Sequence, residues 1–535
     1  MRVLALLLLC ASAFPDASIT YNGIRQPDPW PPVRPAVPTR EPMPVPYLEE
    51  IPDVIPIDTG RQLFVDDFLI EPCTLTRTYH QAVYHPASPV LVPDEPWEMD
   101  TESQGFPAPT AMPFSDGVWY DPQDQLFKMW YMGGYVKATC YAQSKDGIYW
   151  EKPELDVVPG TNIVQTVGRD SNVIWLDHLD PDPARRFKMV VHELPNPEEV
   201  LSVYFSKDGI HWGERVTQTG PAGDRCTAFY NPFRGVWVYS VKDNYYDRRR
   251  RYQENADLVA GAPWVLRELP MWVGADRLDP IRPELDIFPQ LYNLDAMAYE
   301  SLMLGFFSIW YGQPEDRPKP NCVCLGFSRD GFHWYRPDRR PFIGVSEKPG
   351  DWNWGNVQSV GGGCLVVGDT LYFYVSGRSG VPGKNTKSSG ICATGLATLR
   401  RDGFVSMDAS GEEERIITRM LRFSGKYLFV NVDAPQGELR VEVLDENREP
   451  IEPFTYKNCV PLRADSTLEQ VHWTSGDDLS SLAGKPVRFR FHLRDGSLYA
   501  FWVSPDESGA SHGYVAAGGP GFPGPVDTVG KAGRQ

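Results

Sequence analysis

Ser144-Lys-Asp-Gly-Ile-Tyr-Trp150, Ser206-Lys-Asp-Gly-Ile-His-Trp212 and Ser328-Arg-Asp-Gly-Phe-His-Trp334 are three copies of one turn. Asp-Gly is a tight-turn dipeptide, because Gly takes positive φ without steric cost and the Asp carboxylate bonds nearby backbone. The Ser before the turn and the Trp after it fall on flanking strands, where the Trp can cover the turn and pack between sheets. A worn copy stands at Arg401-Asp-Gly-Phe404. The interval from Asp208 to Asp330 is about twice that from Asp146 to Asp208, which places another worn copy between them; Asn255-Ala-Asp257, followed by Trp264, fits.

Each signature follows a strand pair with its own turn. The pairs run from Val118 to Tyr131, from Val173 to Val191, from Ala228 to Tyr239, from Ala296 to Phe307 and from Cys364 to Tyr374. A β-rich repeat of this length with about four strands per unit predicts an all-β chain built on a five-bladed β-propeller. The flanking regions differ in character. Residues 1–13 pair a basic start with a short apolar run and Ala11-Ser-Ala13, the pattern of a signal peptide. Residues 14–56 are Pro-rich and read as a linker or an arm wrapping the surface. The propeller is expected over 57–410, a β-sandwich of short alternating strands over 411–505, and a disordered Gly/Pro-rich tail over 506–535.

Composition narrows the function. Aromatics make up 12% of the 535 residues, which suits stacked sheets and sugar-facing surfaces. A net charge of −18, with Arg248 to Arg251 as the one basic run, argues against a nucleic-acid partner. After the leader no stretch reaches the roughly 18 apolar residues of a membrane helix, so a secreted or periplasmic protein is expected. The nine cysteines are dispersed, with no zinc spacing and no cofactor motif, so neither metal nor cofactor is expected. Cys322-Val-Cys324 puts both thiols on one face of a strand.

In a propeller the starts of the inner strands line one mouth of a central channel, the default place for a site. Those positions carry acids: Glu102; Asp170 and Asn172 in Arg169-Asp-Ser-Asn172; Asp224-Arg225; Tyr299-Glu300; and Trp354-Gly-Asn-Val-Gln358. Carboxylates converging on one mouth repel, so that one holds a proton while another stays ionised, as glycosidic cleavage requires. Glu300 lies inside an apolar strand, where a carboxylate is rare without a partner. Asp224 and Asp170 also suit turn caps, and Asp66 and Asp67 face opposite sides of one strand, so that one of them reaches the channel. Trp97, Trp354 and Tyr299 are candidate sugar platforms or core residues, and Asp146, Asp208 and Asp330 are structural turn residues.

Arg61-Gln-Leu-Phe-Val-Asp-Asp-Phe-Leu-Ile-Glu71, His85-Pro-Ala-Ser-Pro-Val-Leu91, Pro96-Trp-Glu98, Asp180-Pro-Asp-Pro-Ala-Arg-Arg-Phe-Lys188 and Tyr299-Glu300 resemble exported bacterial proteins, common in planctomycetes, that are similar to glycosyl hydrolase family 32. The resemblance spans about residues 55 to 505 and implies the propeller clan of invertases, levansucrases and arabinanases. It implies three carboxylates: a nucleophile or base, an orienting Asp and an acid. Arg169-Asp170 resembles that clan's Arg-Asp-Pro motif with Ser171 in place of Pro, Glu300 matches the acid, and the Trp-x-Asn-Asp-Pro motif of the first blade is missing. The leading expectation is an exported glycoside hydrolase acting on a plant or algal poly- or oligosaccharide. Glu300 is then the acid, Asp170 and Asp224 the tuning acid and base, and Asp67 or Glu102 the alternative base or nucleophile, with Asn172, Arg225, Tyr299, Trp97 and Trp354 on the substrate. A non-catalytic carbohydrate-binding protein on the same fold is the alternative, and a structural scaffold with a plugged channel the third.

Overall fold

The computed structural model describes residues 18–32, 39–99, 108–315, 317–383 and 389–534. The chain is all-β: among the described residues the only helices are short 3-10 turns. Five antiparallel sheets follow one another along the sequence. The first joins Ala111–Met112 and Val118–Asp121 to Leu126–Gly133, Ala138–Ser144 and Ile163–Gln165. The second and third run from Gly168–Leu176 out to Thr217–Gln218 and from Thr227–Asn231 out to Met271–Gly274. The fourth runs from Gln290–Glu300 through Leu302–Trp310 to Asn321–Ser328. The fifth carries Asn356–Gln358 and Leu365–Val367 on Thr370–Arg378, then Cys392–Arg400, with Val83–Tyr84 from the other end of the chain as its outer strand. Each sheet touches the next, and the fifth touches the first, so that the contacts form a cycle.

Two further sheets share a single core. One holds Tyr427–Asp433, Asp465–Gln470, Gly496–Ser504, Val405–Ala409, Thr76–Tyr79 and Gln62–Leu63; the other holds Ile70–Cys73, Glu414–Thr418, Arg488–Arg494 and Glu438–Leu444. Alternating residues of both, among them Val430, Phe501, Ile416, Val441 and Phe491, are buried against each other. The strands at residues 62–79 and 405–409 therefore pair here and not within the ring of five, which shifts the boundaries expected at 57 and 410. The reason is that segments from before and after the ring close into the same layers, which no local pattern announces.

The last segment also differs from expectation. Residues 506–534, read as a disordered tail, are ordered: Tyr514–Val515 pairs with the end of Gln290–Glu300. The Tyr120 and Val366 amides donate to the Ala517 and Gly518 carbonyls, and the Ala517 amide donates to the Cys364 carbonyl. The tail thus bonds inner strands of three sheets, satisfying backbone groups that a Gly-rich composition makes approachable. The arm over 18–32 and 39–56 lies on the surface, with Tyr21 stacked on Phe233 at 4.3 Å and Tyr47 buried.

The signature turns act as expected and also do more. In each, the Asp Oδ1 accepts two backbone N–H groups and the Ser hydroxyl accepts the Gly N–H, as at Asp330 from Phe332 and His333 (2.9 and 2.8 Å) and at Ser328 from Gly331 (2.9 Å). Asp257 accepts from Val259 and Ala260 in the same manner, so the worn copy keeps the turn. The turn is also where neighbouring sheets are fastened. Trp130 of the first sheet donates to the Gly209 carbonyl (2.7 Å), Trp272 of the third to the Phe332 carbonyl (2.8 Å), and Tyr374 of the fifth to the Gly147 carbonyl (2.5 Å). Asp330 is buried and also holds the His333 ring at 2.7 Å, whereas the Asp146 turn faces solvent. Asp330→Ala should therefore cost about 2–3 kcal/mol by stranding buried donors, and Asp146→Ala under about 1 kcal/mol. Urea unfolding of the two variants beside the wild type measures the difference.

Candidate functional site

The inner strand Gln290–Glu300 spans the ring, and its two ends carry different chemistry. Glu300, expected as the mouth acid, sits at the far end and is fully buried. Its carboxylate faces Arg61 Nε at 3.4 Å and Arg401 Nη2 at 3.2 Å, and accepts from the Arg61 amide (3.1 Å) and the Ser511 hydroxyl (2.7 Å). A Cβ at Gly513 would collide with it, so glycine is required there. Tyr299 belongs to the same cluster: its hydroxyl donates to Asp402 Oδ1 at 2.6 Å, and Asp402 is paired with Arg61 at 2.8 Å. Burial raises the Glu300 pKa against the pull of Arg61 and Arg401, whereas at Asp402 those two guanidiniums overcome burial and lower it. Glu300 and Tyr299 are thus structural, a correction to the sequence reading. Asp67 is also remote from the mouth: it pairs with Arg77 at 2.6 Å on the surface with its side chain 73% exposed, while Asp66 is buried against Arg329 at 2.8 Å. Glu102 lies outside the described residues.

The opposite end brings several of the expected residues together. Asp170, at the start of Gly168–Leu176, and Asp224, just before Thr227–Asn231, line one open groove of about 920 Å³. Asp170 pairs with Arg225 Nε at 3.1 Å, and Asp224 pairs with Lys242 Nζ. Burial would raise the Asp224 pKa, but Lys242 and Arg225 outweigh it and hold the carboxyl below its ordinary value. Arg225 is 5% exposed and stacks on the Phe114 ring at 3.9 Å. Asn172 is buried and donates to Asp116 Oδ1 at 3.0 Å, so it holds a neighbour and does not face the groove. Trp354 is buried beneath Arg317, 5.0 Å from its ring, and Trp97 is half-buried with its indole N–H on Asn162 Oδ1 at 3.0 Å. Both are packing residues, as the abundance of tryptophan allows.

Four features of this end escaped the sequence reading. Asp116 is fully buried between Arg169 Nη2 (2.8 Å) and Asn172, and burial, outweighing Arg169, raises its pKa to about 7. Asp295 accepts from Asn293 Nδ2 (2.9 Å) and the Val360 amide (3.0 Å), and burial raises it to about 6. Polar residues at 293 and 295 of an apolar strand were the available signal; Asp116 was hidden as another Asp-Gly turn. Tyr245 and Tyr246 stand on the groove, 70% and 55% exposed and edge-to-face at 4.7 Å. Two adjacent tyrosines in a polar loop were the sign there. His192 also lines the groove, buried, with Glu199 3.4 Å from its Nε2. Among the described residues no group of three or more His, Cys, Asp or Glu side chains could hold a metal ion.

No family model matches the chain, and no curated protein is similar to it in sequence. Among solved structures it is similar to an N-acetylgalactosamine deacetylase from F. plautii in complex with blood group B trisaccharide (13% identity, 65% of this chain and 97% of that one, TM-score 0.39). It is also similar to a thermostable family-43 glycoside hydrolase (13% identity, 57% and 94%, TM-score 0.37) and to the β-fructofuranosidase from Schwanniomyces occidentalis complexed with fructosyl-erythritol (12% identity, 79% and 97%, TM-score 0.36). At such TM-scores these likenesses carry no weight, and fold and site rest on the strand pairing and side chains above.

Two outcomes follow for the two ends. Glu300→Gln puts an amide NH2 in place of one of the two carboxyl oxygens that accept from the Arg61 amide, the Ser511 hydroxyl and Arg401, so it should lower stability by about 1–3 kcal/mol, read as a lower unfolding midpoint, while ligand binding by the folded fraction is kept. At the mouth, Tyr292 is buried, yet Lys319 and Arg225 outweigh burial and lower its phenol to about 8. Cations favour the phenolate, so an ultraviolet pH titration should find one tyrosine ionising near pH 8, and Lys319→Met should move that step upward.

Proposed function

We propose that this chain is an exported carbohydrate-binding protein that engages a poly- or oligosaccharide in the groove shared by Asp170, Asp224, Tyr245 and Tyr246. One observation carries the reading: an exposed tyrosine pair and two carboxylates fixed by cations border the same groove. Tyrosine rings stack on the apolar C–H faces of sugars. A carboxylate kept ionised, as Lys242 and Arg225 keep Asp224, is a strong acceptor for sugar hydroxyls, and Lys242 offers donors beside it. The groove is also within the range of small-ligand sites, roughly 300–1,000 Å³.

Hydrolysis is the second reading, favoured by the presence of two carboxylates on one groove. Cleavage needs one of a carboxyl pair to hold a proton and deliver it to the leaving oxygen. Lys242 and Arg225 hold Asp224 in the opposite state. The raised carboxyls, Asp116 and Asp295, are buried behind Arg169, Asn172 and Asn293. Binding without turnover is therefore the better fit.

Calorimetric titration of plant and algal oligosaccharides, with reducing-sugar release measured on the same samples, tests this. The expected outcome is binding without turnover, weakened about tenfold, or about 1.4 kcal/mol, by Tyr245→Ala. Turnover by the wild type that disappears in Asp224→Asn would replace it with the hydrolytic reading. Binding that neither Tyr245→Ala nor Asp224→Asn alters would remove the groove from the account.

A further inference from the structure

Behind Asp170, four basic side chains crowd around two aromatic rings, and a fifth bonds the backbone beside them. Arg225 and Arg378 lie over Phe114, with guanidinium carbons 3.9 and 5.9 Å from its centroid. Arg225, Arg248 and Lys319 surround Tyr292 at 6.0, 5.8 and 4.8 Å, and the Lys319 ammonium donates to the Tyr292 hydroxyl at 2.7 Å. Arg250, fully buried, donates to the Arg225 and Tyr292 carbonyls. Among the described residues one carboxylate, Asp170, makes an ion pair with any of the five; Asp224 is engaged by Lys242.

Such a concentration of positive charge is unexpected in a chain of net charge −18. It is also costly. A guanidinium out of water loses several kcal/mol of hydration unless an anion or a full set of acceptors replaces it. Arg378 is 3% exposed, and its Nη1 reaches the Tyr135 hydroxyl (3.3 Å) and the Ser389 hydroxyl (3.1 Å), but its Nε and Nη2 are buried without acceptors among the described residues. Arg225 Nη1 is in the same condition. Buried donors of two guanidiniums over one ring, left open, are what two oxygens of one anion would fill, since the arginine fork bonds the oxygens of planar carboxylates and of tetrahedral oxyanions in pairs. Arg248 and Lys319 are half-buried, so the cluster reaches solvent on their side. The lowered phenol of Tyr292 reports the same positive field.

We propose that Arg225, Arg378, Arg248 and Lys319 form an acid-group subsite, so that the glycan in the groove is an anionic one whose carboxylate or sulfate ester docks on the Arg225 and Arg378 guanidiniums. This rests on the groove being a glycan site, and it adds the substrate class. The Arg225–Asp170 pair joins the two regions: Asp170 lines the groove, and its partner keeps a buried Nη1 without an acceptor. Lys319 and Arg248 supply attraction over a longer range, which salt would screen.

Calorimetry on the full chain with three oligosaccharides of equal length, one neutral, one uronate and one sulfated, tests the proposal, with sodium sulfate as a separate inorganic probe. An acidic oligosaccharide should bind at least about tenfold more tightly than the neutral one, and Arg378→Gln and Lys319→Gln should each remove most of that preference. Lys319 is half-buried, so its variant serves even where Arg378→Gln fails to fold. Which acidic ligand is preferred names the group. Equal affinity for neutral and acidic ligands, still weakened by Tyr245→Ala, would overturn the subsite and leave the groove reading intact. An acidic preference unmoved by Lys319→Gln and Arg378→Gln would overturn it as well. Sulfate binding that Lys319→Gln abolishes, with no oligosaccharide bound, would keep the anion site and sink the groove reading.

Discussion

The carboxylate of Glu300, held without solvent between Arg61 and Arg401, is the contact on which the arrangement of this chain depends. It gathers segments from positions 61, 300, 401, 511 and 527, which lie in the first strands, the fourth sheet, the last turn signature and the tail. Two guanidiniums face three acids there, Glu300, Asp402 and Asp527, so burial and mutual repulsion load the strain of neutralisation onto Glu300. A buried network of this kind is weak evidence of net stability but strong evidence of register, since losing one partner leaves a charge stranded. Together with Tyr514–Val515 it occupies one end of the ring. The groove is at the other.

The strand Gln290–Glu300 shows how one element serves both ends. Asn293 and Asp295 face Ser115 and Ser359 at the mouth, Leu294 and Met297 lie in the core, and Tyr299 and Glu300 enter the ionic cluster. Alternation along a strand distributes faces, and position along it distributes ends. The second distinction decides function here, and it depends on which end of the strand the returning tail meets.

That is also where legibility in the sequence stopped. The Asp-Gly turns were readable because their chemistry is local: Ser328, Asp330 and Gly331 satisfy one another within four residues. The worn copy at Asp257 was readable from spacing alone, and the all-β class from the repeat. Glu300 stood out correctly as a carboxylate needing a partner, but Arg61 lies 239 positions away, and nothing local separates a buried ion pair from a catalytic acid. Asp170 and Asp224 were placed together because both precede inner strands. The cations that hold them, Arg225 and Lys242, could be assigned only once the sheets were in register. The tail was misread because Gly/Pro composition signals little apolar burial, whereas here Val515, Ala517 and Phe522 enter the core and backbone hydrogen bonds to three sheets add to the order.

What the mouth can do follows from where its protons reside. A glycosidic bond breaks when a neutral carboxyl stands within reach of the leaving oxygen, a state that burial or a neighbouring carboxylate favours and a cation opposes. This mouth separates those conditions. The carboxylates that reach the groove have cations against them, and the carboxyls whose pKa burial raises, Asp116 and Asp295, are enclosed by their own amide and guanidinium partners. Releasing Asp116 toward a ligand would leave the Asn172 amide and an Arg169 N–H buried without their acceptor, a cost of about 1–3 kcal/mol. An excess of arginine and lysine also favours the ionised state of an acid group on a bound ligand. The proposed anion-binding role rests on this surplus of cations over carboxylates around Phe114 and Tyr292, which opposes delivery of a proton to an ether oxygen.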